Sequence, residues 1–108
     1  MSQEDGVTDD GLEVLASLKA IFEAQQMALL DREDITPEIY VIIAELDMNK
    51  IVSAGGIPEF LRAQIRERRG VMEAALAGKP EQIQNRIRSE VEKEIVPLEE
   101  AVAFVEKK

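Results

Sequence analysis

The sequence predicts an all-α protein with a bundle-like arrangement of four helices. Three prolines, Pro37, Pro58 and Pro80, are each followed by a glutamate, which is typical of the first turn of a helix. Between these breaks apolar residues recur at steps of three and four, the period of one helix face. No segment alternates apolar and polar residues over the length of a strand, and no internal repeat is present. The 108 residues are of the size of one domain.

The first helix is expected over about residues 11–31, after a flexible acidic N-terminus of residues 1–10. Asp10 with Glu13 three residues later is a variant of the capping box that starts helices. Two rows of small or apolar residues run along this helix: Leu15, Leu18, Phe22 and Leu29 with Gln25 among them, and Ala16, Ala20, Ala24 and Ala28. The alanine row either allows another helix to approach closely or reflects the high helix propensity of alanine.

The second helix is expected over residues 37–54, because Thr36 and Pro37 form a start signal and Gly55 an end signal. Its apolar residues point to nearly every side, and such a helix needs burial on every side. Either the other three helices surround it or a second chain covers part of it, and the short chain favours the second chain. The expected interface residues are Tyr40, Val41, Ile42, Met48 and Val52.

The third and fourth helices are expected over residues 58–77 and 80–106. The fourth has one apolar stripe that continues past Pro97, so we expect a single helix kinked at this proline. The stripe consists of Ile83, Ile87, Val91, Ile95, Leu98, Val102 and Val105. Its regular spacing predicts that it packs on the core along its whole length.

The segment RAQIRERRG at residues 62–70 has four arginines, although the net charge of the protein is -9. Arg62, Arg66 and Arg69 cluster beside the apolar stripe of the third helix, and we call them the basic strip. Glu59 and Glu73 are spaced to form ion pairs with the basic strip. The purely structural interpretation is therefore a salt-bridged helix edge. Nucleic-acid binding through these arginines is the less favoured alternative.

Arg68 differs from the basic strip, because its position on the helix points into the apolar arc of the third helix. A guanidinium in that position must extend toward solvent or meet a carboxylate, on this subunit or on another one. Arg68 is therefore a further interface candidate. The helix spacing alone does not distinguish these arrangements.

The composition excludes several classes of function. The chain has no histidine and no cysteine, which removes the commonest general base, transition-metal ligand and thiol nucleophile. No phosphate-binding glycine loop and no calcium loop are present. We therefore expect no catalytic, cofactor-binding or metal-binding residues, no small-molecule substrate and no enzyme activity.

The sequence favours a helical protein–protein interaction module, acting as a structural, assembly or regulatory subunit. The expected partner is a second copy of the chain, in a dimer or higher oligomer, or a larger protein. Residues 1–50 have 12 acidic and 3 basic side chains, which also suits an acidic inhibitor, similar to an antitoxin, that binds a basic surface of a nucleic-acid enzyme. The acidic start and the lack of a long apolar run predict a cytoplasmic protein without membrane contact.

Overall fold

The structure is a computed structural model that describes residues 9–107, and this part of the chain has five helices and no strand. The helices are α1 (Asp9–Leu30), α2 (Pro37–Ala44), α3 (Met48–Ala54), α4 (Ile57–Leu76) and α5 (Glu81–Glu106). The predicted all-α fold with a bundle-like arrangement is confirmed. Helix α1 begins two residues before the predicted start, and residues 1–8 of the expected flexible N-terminus lie outside the described residues.

The predicted second helix differs from the structure, because residues 37–54 form two short helices. Asp47 adopts an extended backbone, and its side chain accepts a hydrogen bond from the backbone N–H of Asn49, which caps the start of α3. In one continuous helix Ile39 and Ile51 would point about 120° apart. The turn between α2 and α3 allows both to enter the core, where they are 6% and 0% exposed. Gly55 ends α3 with φ 96, a left-handed conformation that favours glycine.

Helices α4 and α5 form an antiparallel hairpin, joined by a short turn that contains Gly78. At the turn, the side-chain amide of Gln84 donates a hydrogen bond to the carbonyl of Leu76, a group at the end of α4 that has no partner within the helix. Helix α5 passes through Pro97 without ending. Helix α2 packs on α5, α3 packs on α4, and α1 packs on both short helices.

The core lies at one end of this hairpin, where all five helices contribute. It consists of Leu29, Ile39, Ile43, Ile51, Ile57, Leu61, Ile65, Ile95, Leu98, Ala101 and Phe104. The predicted stripe of α5 is buried only in its C-terminal half, since Ile95 is fully buried whereas Ile83 is 39% exposed. Ala101 and Phe104 belong to the core and were not part of the predicted stripe.

The described residues form an elongated shape. Their extents are 62 × 40 × 19 Å and the radius of gyration is 18.1 Å, whereas a compact domain of this length has a radius of gyration of about 13 Å. Two segments extend from the core: the far half of the α4–α5 hairpin and the N-terminal half of α1, where residues 11–17 are all exposed. The surface of the protein is therefore large for its core.

Candidate interaction surfaces

The interface candidates predicted on the second helix do not share one surface. Ile42 and Met48 pack against the core of the same chain, and Val52 is half-buried. Only Tyr40 and Val41 are exposed, at 46% and 52%. The prediction assumed one straight helix that was apolar on all sides, and the break before α3 turns most of that apolar surface inward.

The carboxylate that pairs with Arg68 lies on the same chain. Its guanidinium Nε lies 3.5 Å from Glu94 of α5, and its Nη1 lies 3.3 Å from the side-chain oxygen of Gln64. The side chain is 36% exposed, so it lies at the edge of the helix pair rather than inside it. The sequence analysis left open whether Arg68 extends toward solvent or meets a carboxylate. Here it meets one from α5, at the exposed edge of the helix pair.

The basic strip is partly neutralised by neighbouring glutamates. Arg62 pairs with Glu59 at 3.4 Å, as its spacing predicts, and also with Glu106 near the end of α5. Arg69 pairs at 2.7 Å with Glu99 of α5 rather than with the predicted Glu73. The position of Glu99 depends on the register of the α4–α5 hairpin, which local spacing does not specify.

Arg66 is the exception in the basic strip. Among residues 9–107 no carboxylate lies within ion-pairing distance of it, and its side chain is exposed. It lines a groove of about 320 Å³ between α4 and α5, which we call the arginine groove. The groove is lined by Arg62, Ile65, Arg66, Arg69, Glu99 and Val102. It therefore combines two apolar residues with one unpaired and two paired arginines.

Five of the ten large exposed apolar residues described by the structure lie on α1. Among residues 11–30 of this helix only Leu29 is buried, and the N-terminal half of the helix extends beyond the core. The large exposed apolar residues of α1 are Leu12 53%, Val14 58%, Leu15 44%, Ile21 53% and Met27 59%. The sequence signal for this surface was present, since residues 11–30 have only three charged side chains. The prediction applied the argument from all-round apolarity to the second helix, and on the first helix it noted only the alanine row.

Between residues 11 and 30 one side of α1 has no charged residue, and we call it the α1 strip. Val14, Ile21 and Ala28 lie seven residues apart, so they fall on nearly one line of the helix. With the residues within about 60° on either side, the strip comprises Val14, Ser17, Leu18, Ile21, Ala24, Gln25 and Ala28. Leu18 is half-buried and the other members are exposed.

The C-terminal end of the α1 strip runs into a second groove, of about 450 Å³. Gln25 and Ala28 of the strip form one wall, and Pro58 of α4 and Val105 of α5 form part of the rest. The groove therefore continues the α1 strip onto the core, and together they make one extended, mostly apolar surface.

A polar cluster at the rim of this groove attaches the turn after α1 to the end of α5. The Arg32 guanidinium donates a hydrogen bond of 2.7 Å to the carbonyl oxygen of Phe104 and lies 4.0 Å from the centre of its ring. Asp34 accepts hydrogen bonds from Arg32 and Lys107, and these donors lower the pKa of its carboxyl from 3.8 to about 2. The sequence analysis did not identify this contact, because Arg32 and Phe104 are 72 residues apart.

The chain matches no protein-family description, no curated protein and no solved structure. Among the described residues, no group of three or more acidic residues is placed to hold a metal ion. Within residues 9–107, no helix has the length and apolarity needed to cross a membrane.

Proposed function

We propose that this protein is a non-enzymatic helical interaction module that self-associates, with two copies pairing along their α1 strips. The single observation that carries this proposal is the exposure of α1, where Val14 and Ile21 remain 58% and 53% exposed. A row of exposed apolar residues along a helix is typical of a surface that another protein covers. The proposed interface thus lies on α1 instead of on the predicted second helix.

The residues of the α1 strip suit a copy of the same strip in antiparallel orientation. A two-fold axis at Ile21 places Val14 opposite Ala28 and Leu18 opposite Ala24 of the second copy, because each such pair of residue numbers adds to 42. Val14 and Leu18 then each face an alanine, which favours interdigitation of the two helices, and Ile21 meets its own copy at the axis. Ser17 meets Gln25, a pair that can form a hydrogen bond.

The length and charge of the strip also support a second copy. A helix of 22 residues is about 33 Å long, which is long enough for several turns of contact. Between residues 11 and 30 no charged side chain lies within the strip, so pairing over this length buries no charge. Val14 of the second copy would lie beside Ala28, at the edge of the groove lined by Pro58 and Val105. A partner helix thereby covers both parts of the apolar surface.

Sedimentation equilibrium over a range of protein concentrations tests the proposal. We expect the unmodified protein to form dimers at micromolar concentration, and Ile21→Glu to sediment as a monomer, because the two-fold axis brings the two introduced carboxylates together. Val71→Glu is the matched control, since Val71 is 63% exposed on α4 and lies outside the strip. A clean monomer in the unmodified protein, or equal dissociation in both variants, would contradict the proposal. Circular dichroism verifies that both variants remain helical.

A cytoplasmic location for this module stays a prediction from the sequence. The proposed pairing requires only a second copy of the chain, so it is compatible with that location. Fractionation of the source cells, with the protein followed by an antibody, would test it, and recovery in a membrane or extracellular fraction would contradict it.

A further inference from the structure

The arginine groove suits a partner whose binding does not depend on self-association. We propose that it docks an acidic segment of another protein, which places a carboxylate on Arg66 and an apolar side chain between Ile65 and Val102. The groove lies on α4 and α5, whereas the α1 strip lies on a different helix. A dimer that pairs through α1 would therefore display one such groove on each copy.

Charge complementarity defines the partner at this position. Arg66 is exposed and has no carboxylate partner among residues 9–107, while Arg62 and Arg69 on either side of it are held in ion pairs. The ion pairs fix the walls of the groove, because Glu99 joins α5 to Arg69. A carboxylate from outside is therefore the group that completes this row of arginines.

The apolar floor indicates that the carboxylate belongs to a peptide chain. Ile65 is buried and Val102 is half-buried, and together they line the groove below Arg66. The volume of about 320 Å³ lies at the lower end of the range for ligand pockets. One or two side chains fit this space, so the occupant is a segment that presents an acidic residue next to an apolar one.

Nucleic acid suits the groove less well. Binding of a phosphate backbone usually draws on several unpaired basic groups. In this groove only Arg66 is unpaired among residues 9–107, since Glu59 and Glu106 engage Arg62 and Glu99 engages Arg69. A single carboxylate of a peptide requires only one such group.

The experiment measures binding of a fluorescein-labelled peptide that alternates pairs of glutamate with single leucines, by fluorescence anisotropy. We expect saturable binding that Arg66→Gln weakens by about tenfold, the loss of one charge-assisted hydrogen bond. Arg86→Gln is the matched control, because it removes the same charge at an exposed position of α5 outside the groove. This control should leave the affinity within about twofold.

Two altered peptides and two nucleic acids distinguish an acidic, partly apolar segment from other ligands of the groove. A peptide with glutamine in place of glutamate tests the carboxylate, and a peptide with serine in place of leucine tests the apolar floor, so both should bind at least several-fold more weakly. Labelled duplex DNA and single-stranded RNA of similar length are measured under the same conditions. Absence of saturable peptide binding, equal effects of Arg66→Gln and Arg86→Gln, or tighter binding of either nucleic acid would overturn the proposal. Ile21→Glu should bind the peptide normally, so failure of the α1 pairing is distinguishable from failure of the groove.

Discussion

Replacing Ile95 by alanine tests the position of the core. The side chain of Ile95 is 0% exposed in the C-terminal half of α5 and belongs to the main core cluster. The substitution removes three buried carbon groups, and at about 0.8 kcal/mol each the transfer term alone is about 2.4 kcal/mol. The cavity left behind adds to this loss, so the free energy of unfolding should fall by about 3 to 5 kcal/mol.

Ile83→Ala is the matched control, because it makes the same chemical change in the same helix. Ile83 is 39% exposed, so only about six tenths of the transfer term applies and the loss should not exceed about 1.5 kcal/mol. Urea unfolding followed by circular dichroism measures both changes at one protein concentration, which keeps any contribution of self-association constant. Equal losses at the two positions, or a loss below about 0.5 kcal/mol for Ile95→Ala, would refute this placement of the core.

Two further predictions concern local contacts. The folded pKa of Asp34 is about 2, below its ordinary value of 3.8, so its ion pairs stabilise the folded state above about pH 4 and are lost as the pH falls toward 2. The stability difference between the unmodified protein and Asp34→Asn in urea unfolding should therefore shrink over that range, and a constant difference would contradict the assignment. Asp47→Ala removes the cap of α3 and should cost about 1 kcal/mol. Asp31→Ala removes a similar charge at an exposed position and should stay within about 0.5 kcal/mol, so equal losses would show that capping is not the cause.

Local signals in the sequence were sufficient for most helix boundaries. Thr36 accepts a hydrogen bond from the N–H of Ile39 in the structure, as the predicted start signal implies. The ion pair between Glu59 and Arg62 was predicted as well, because its spacing of three residues lies within one helix turn. The break before α3 was missed, since the cap formed by Asp47 competes with a run of apolar residues that suits a continuous helix.

Contacts between distant parts of the chain could not be predicted from local signals in the sequence. Arg69 pairs with Glu99, and Arg32 binds the carbonyl of Phe104, 72 residues further along the chain. Both contacts depend on how the helices are placed against each other. Spacing along one helix shows which residues share a face, and it does not specify which residue of another helix meets them.

The sequence by itself determined the helical class of this protein, and it removed histidine and cysteine chemistry from consideration. The tertiary structure decided which apolar residues are covered. Ile43 and Ile51 are fully buried, whereas Val14 and Ile21 remain exposed, although all four occupy apolar helix faces. The physical reason is that burial depends on whether another element lies over a face. The core lies at the end of the α4–α5 hairpin, and among residues 9–107 no element covers the N-terminal half of α1.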